Sequence, residues 1–174
     1  AHAEGCQTYA KKQAAHSEGM NTQATNFAAH SEGYYSVASG SYSHAEGSGT
    51  TASGESSHTE GYTTTASGKN SHAEGTETTA NHKSQHVFGE FNVLDTSTAE
   101  STERGNYVEI VGNGTALNSR SNARTLDWNG NETLAGTLYV NGNQEVAIKD
   151  NAIKHLTETS IVLHTLETLG PAPE

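Results

Sequence analysis

Residues 1–91 carry few large apolar side chains, yet their small and polar positions alternate with a fixed period. The recurring unit is a small residue, a variable residue, Ala or Ser, a variable residue and Gly, followed by two free positions. His returns every fourteen residues, at His2, His16, His30, His44, His58, His72 and His86. Gly follows three places later, at Gly5, Gly19, Gly33, Gly47, Gly61, Gly75 and Gly89. Between them stand Glu4, Glu18, Glu32, Glu46, Glu60 and Glu74, with Phe88 in the seventh copy. Ala10, Ala24, Ala38, Ala52, Ala66 and Ala80 mark the other half of each unit. So short a period predicts a solenoid, in which one coil cannot bury its face alone.

Alternation places successive side chains on opposite faces of a strand. The small residues therefore look into the coil, and His and Glu look out. Gly is expected to turn the chain, because it lacks a Cβ. Two strands and two turns make one coil, and coils stack by parallel pairing. Six or seven coils at about 4.8 Å each predict a shaft of about 30 Å. The recurring Thr8, Thr22, Thr50, Thr64 and Thr78 fall on the inward face, which argues against an exposed threonine array such as an ice-binding surface.

The outward positions of the two halves differ. In the second half they vary as a solvated face does: Tyr9, Gln23, Val37, Thr51, Thr65, Thr79. In the first half they are His and Glu almost without exception. Stacking sets Glu above Glu at about 4.8 Å, where like charges repel. Uniformity of this kind gains nothing in solvent. It suits a column buried against identical columns, and the expectation is a homotrimer with His and Glu hydrogen-bonded around a threefold axis. The predicted axial network is His2, Glu4, His16, Glu18, His30, Glu32, His44, Glu46, His58, Glu60, His72, Glu74 and His86. Pairing of His44 with Glu46, of its own or a neighbouring chain, is expected, and such pairing raises the folded pKa of an imidazole. Three imidazoles around an axis are also a donor set for a transition metal, but the Glu beside each ring favours a hydrogen-bonded layer, with no metal and no cofactor.

In the seventh unit larger apolar residues enter, and Phe88 and Phe91 are read as caps on the open ladder. Residues 92–148 read as a small β-rich module. A polar loop spans 92–106 and a strand spans 107–111. A second strand at 123–128 turns at Asn129-Gly130-Asn131 into a third at 133–140, and a further turn at 141–143 leads to 145–148. Such a meander is too small to be secure alone, so docking on the roll or trimerisation is expected. In residues 149–174, Asp150 caps a predicted helix that Gly170 and Pro171 stop. Ile153, Leu156, Ser160 and Leu163 follow the spacing of a short coiled coil, with a strand at 160–166 as the alternative.

Composition narrows the function classes. The net charge of -11 argues against a sequence-independent grip on nucleic acid and against an anionic membrane. Cys6 is the only cysteine, so there is no intrachain disulfide and no multi-cysteine metal site. No apolar run is long enough for membrane insertion as a helix. No signal peptide opens the chain, which starts within a repeat and reads as a fragment. No Ser–His–Asp signature accompanies the histidines, whose spacing accounts for them without catalysis, so the chain is not read as an enzyme.

The small-x-Ala-x-Gly heptad resembles the head repeat of trimeric autotransporter adhesins, which implies a left-handed parallel β-roll assembled as a trimer. In that family the two variable positions are commonly Val and Ile facing the trimer centre; here they are His and Glu. The Ser-His-Ala-Glu-Gly form, at residues 43–47 and 71–75, is more similar to repeats in tail-fibre and tail-appendage proteins of phages and prophages. Residues 110–115, 120–128 and 134–137 together resemble the family named for an autoproteolytic, intramolecular-chaperone (peptidase G2-like) domain of phage appendages. None of that family's cleavage residues can be placed here by motif. The resemblances imply a trimeric structural and adhesive segment of a tail fibre, on the virion tail or otherwise extracellular, with a bacterial surface glycan or protein as receptor. The alternatives are a self-cleaving chaperone domain that trimerises an appendage, and a bacterial trimeric adhesin head.

Overall fold

The computed structural model describes residues 1–136 and the pairing of two short strands, Tyr139–Val140 and Asn143–Gln144. The described residues are all β, in a parallel solenoid of about six coils of about fourteen residues. The first halves form one sheet: β1 (His2–Cys6), β3 (His16–Met20), β5 (His30–Ser31), β7 (His44–Ala45), β9 (His58–Thr59), β11 (His72–Ala73) and β13 (His86–Glu90). The second halves form the other: β2 (Tyr9–Ala10), β4 (Gln23–Ala24), β6 (Val37–Ala38), β8 (Thr51–Ala52), β10 (Thr65–Ala66) and β12 (Thr79–Ala80). Each strand pairs in parallel with its equivalent fourteen residues on, so His44 lies over His58 and Thr51 over Thr65.

The interior is made of methyl and hydroxyl groups. Ala24, Ala38, Ala45, Ala52, Ala66, Ala73 and Ala80 are fully buried. So are Ser17, Ser31, Ser36, Thr22, Thr50, Thr64 and Thr78. Several of these hydroxyls donate within their own coil: Ser31 to the Ser36 carbonyl at 2.8 Å, Ser57 to Gly54 at 2.8 Å, and Thr78 to Glu74 at 2.9 Å. A buried hydroxyl bonded in this way avoids its desolvation cost. Apolar burial per coil is small, so backbone bonds between coils set the spacing. From a single coil, the amides of His44, Glu46, Ser48, Thr51 and Ser53 donate to Ser57, Thr59, Gly61, Thr64 and Ala66 at 2.8–2.9 Å.

Turning the chain requires more than glycine. Gly47 has φ 102 and Gly61 φ 99, but non-glycine residues also take left-handed conformations, among them Asn21, Tyr35, Tyr42, Ser56, Thr63 and Asn70. Glycine is demanded chiefly by proximity. A Cβ on Gly47 would meet the carbonyl of Gly61, and one on Gly54, whose φ is not left-handed, would meet that of Gly68. The two free positions at each corner carry the exposed aromatics Tyr34, Tyr35, Tyr42 and Tyr62.

The module after the repeats docks on the roll as an extension of the first sheet. β14 (Tyr107–Asn113) pairs in parallel with β13, placing Glu109 over His86, Ile110 over Val87 and Val111 over Phe88. β15 (Asn122–Asp127) and β16 (Glu132–Leu134) then add antiparallel. At their turn Asp127 accepts from the amides of Asn129 and Asn131 and from the Asn131 side chain, each at 2.8 Å. The expected strand over 133–140 stops at Leu134, just before Gly136. A separate two-stranded sheet of β17 (Tyr139–Val140) and β18 (Asn143–Gln144) follows. The expected strand at 145–148 and the expected helix in 149–174 lie outside the described residues.

The cap is polar rather than aromatic. Phe88 and Phe91 are only half-buried, and Phe88 lies beside the His86 ring at 5.2 Å. The edge of the first sheet is covered by β14, with Val87 and Ile110 both fully buried. The edge of the second is closed by Asn92, whose side-chain amide copies a peptide group. Its Oδ1 accepts from the Thr79 amide at 2.8 Å, and its Nδ2 donates to the Thr79 carbonyl at 3.2 Å. Beside it, buried Asp95 accepts from Gln85 Nε2, the amides of Ser97, Asn106 and Tyr107, and Asn106 Nδ2, at 2.7–3.1 Å.

Candidate functional site

In-register parallel pairing makes a stack of the seven histidines. Neighbouring ring centroids are 4.6–5.1 Å apart, and from His16 to His58 the planes lie within 6° of parallel. From His16 onward a buried inward residue on either side of each ring, such as Ser43 and Ala45 beside His44, locks the strand and with the rung spacing orients the ring.

The glutamates form a second column on the same face. Each ring from His44 onward meets the carboxylate of the preceding coil. His44 Nε2 lies 3.1 Å from Glu32 Oε1, and His58 Nε2 lies 3.2 Å from Glu46 Oε1. The corresponding distances are 3.7 Å for His72–Glu60 and 3.6 Å for His86–Glu74. The expected partner of His44, Glu46, is thus replaced within the chain by Glu32. Among the described residues, His2 alone faces the Glu of its own strand, Glu4, at 3.8 Å. The Nε2 atoms of His16, His30, His72 and His86 are buried without a hydrogen-bond partner among the described residues. An open groove of about 510 Å³ runs along Glu4, Glu18 and Glu32 with Gly5, Gly19 and Gly33.

The column ends at the module. Glu109 takes the next place in the histidine row and Val111 the next in the glutamate row. Glu109 pairs with Arg124, which also reaches Glu132 at 3.3 Å.

Burial is the largest influence on the protonation of two of these rings. It pushes His30 below its ordinary value, the His44 and His16 rings push further, and Glu32 and Glu18 only partly oppose them. His72 is lowered likewise by burial and by His58 and His86, against Glu60 and Glu46. The rise expected from Glu pairing is therefore reversed at these two positions. A depressed histidine binds fewer protons folded than unfolded, so stability increases with pH across its titration. The contribution of His30 and His72 is expected to be full above the unfolded value of about 6.5 and lost as pH falls through their lower folded values. Urea titrations at a series of pH values, compared with His30→Gln and His72→Gln, check this: a wild-type slope no greater than the variant's in that window contradicts it.

Several rungs bring metal-ligand atoms together. His30, Glu32 and His44 offer one atom each within 4.8 Å of one another, as do His44, Glu46 and His58, or Glu60, His72 and Glu74. The sequence singled out these residues by their period. It did not identify Asp95, Asn92 and Gln85, which occur once; the signal was a cluster of amide and carboxylate side chains directly after the last coil. No family model matches this chain, and neither a curated protein nor a solved structure matches it.

Proposed function

We propose that this chain is a trimeric shaft-and-tip segment of a phage or prophage tail fibre, wound left-handed, that projects toward the bacterial surface and helps engage it. The observation that carries the reading is the half-buried His/Glu face, with four ring nitrogens that lack hydrogen-bond partners among the described residues. Parallel sheets are normally covered on both faces. The inner face is covered here by the opposite sheet; the outer face carries a uniform ionisable column, where the second sheet carries mixed residues. Placing that column on a threefold axis supplies hydrogen-bond partners from neighbouring chains. The exposed aromatic residues at the corners support a surface-engaging role: Tyr34 and Tyr35 meet edge to face at 4.6 Å, and Phe27 and Tyr42 at 5.4 Å. Rigid aromatic patches of this kind suit recognition of a glycan or protein surface.

Sedimentation equilibrium at micromolar concentration is the test. The expected mass is three times the 18.3 kDa of one chain. A folded monomer with the same circular dichroism overturns the reading.

A further inference from the structure

We propose that the ladder is a divalent transition-metal site in which each chain supplies one His Nε2 and one Glu carboxylate per layer, and three chains close a six-ligand His3Glu3 shell. This rests on the trimeric reading. Its warrant is the geometry of the pair. His44 Nε2 and Glu32 Oε1 are 3.1 Å apart, and His58 Nε2 and Glu46 Oε1 are 3.2 Å apart. With metal–ligand bonds of about 2.1 Å, such separations subtend about 95–100° at a shared ion. That is the angle between adjacent positions of an octahedron.

The ring stacking excludes two imidazoles of one chain as ligands of the same ion. The His30 and His44 rings stack at 4.6 Å and are parallel within 2°. Two bonds of about 2.1 Å span at most about 4.2 Å, and parallel lone pairs do not converge. An ion can therefore take one ring per chain in each layer, and further ligands come from other chains. Imidazole with carboxylate suits a divalent first-row metal.

Charge points the same way. Three carboxylates brought to an axis in every layer, with layers about 4.8 Å apart, repel strongly unless a cation lies among them.

The test uses the full chain, stripped with chelator and titrated with cobalt(II) at pH 7.5, with sedimentation run before and after. Expected are a trimer in the presence of cobalt, one ion per three chains for each occupied layer, and the weak visible absorption of six-coordinate cobalt. Glu32→Gln with Glu46→Gln should keep the circular dichroism and lose two ions per trimer. A trimer that binds no cobalt at micromolar concentration overturns the metal site and leaves the trimer standing. Unchanged uptake by the double variant overturns it too. A monomer with cobalt present overturns both readings.

Discussion

Gly61→Ala is expected to lower stability by about 2–6 kcal/mol, a large share of the ~5–15 kcal/mol of an ordinary domain. Two costs add. The residue sits at φ 99, where an L side chain is strained by about 1–3 kcal/mol. The new Cβ would also meet the carbonyl of Gly75, which accepts from the Tyr62 amide at 2.8 Å and cannot retreat without breaking that bond of the ladder. Forcing an atom into such a contact costs about 1–3 kcal/mol more. Gly130→Ala is the control. It too has positive φ, 83, but its Cβ would meet nothing within 4 Å, so the loss should be about 1–2 kcal/mol. Urea midpoints of the two variants decide the matter; equal losses would mean that backbone conformation, not coil-to-coil approach, demands glycine.

Asp95→Ala should cost about 1–3 kcal/mol, because it strips a buried carboxylate from five hydrogen-bond donors, most of them part-buried. Gln85 keeps the Tyr107 carbonyl as a second acceptor at 3.2 Å, but the Asn106 and Tyr107 amides lose theirs. The end of the loop at Asn106 and Tyr107 would then loosen from the last coil. Trp128 reports this directly. It is the only tryptophan, and the Arg104 guanidinium of that loop lies 4.2 Å over its ring. The expected result is a shift in Trp128 emission together with a lower urea midpoint, partly restored in Asp95→Asn. An unchanged emission spectrum with full stability would remove Asp95 from the cap.

The coils were legible because their information is local and repeated. Ala45 and Ala52 are small where a strand face must enter a narrow interior, and the same choice recurs every seven residues, so period and face follow from alternation alone. The histidine stack follows as well, once parallel pairing in register is granted. The cap was not legible in the same way. Asn92 closes the second sheet by imitating a peptide group, and nothing in one asparagine announces that use. Phe88 and Phe91 drew attention through size, yet the edge is covered by β14, whose partner β13 lies some twenty residues earlier in the chain.

What the sequence by itself determined is the fourteen-residue coil, its small-residue interior and the outward column of His and Glu, since each depends only on which side of a strand a residue falls. The tertiary structure decided the partners. Glu46 is two residues from His44 along the strand, about 6.6 Å, while Glu32 comes from the neighbouring coil; both are within reach of a long side chain. Stacking fixes the imidazole plane and the direction of Nε2, and that direction selects Glu32. Burial among neighbouring rings then lowers the proton affinity of His30 and His72 against the pull of the carboxylates. Ring orientation and burial are properties of the stacked coils together, so one fourteen-residue unit, however often repeated, does not contain them.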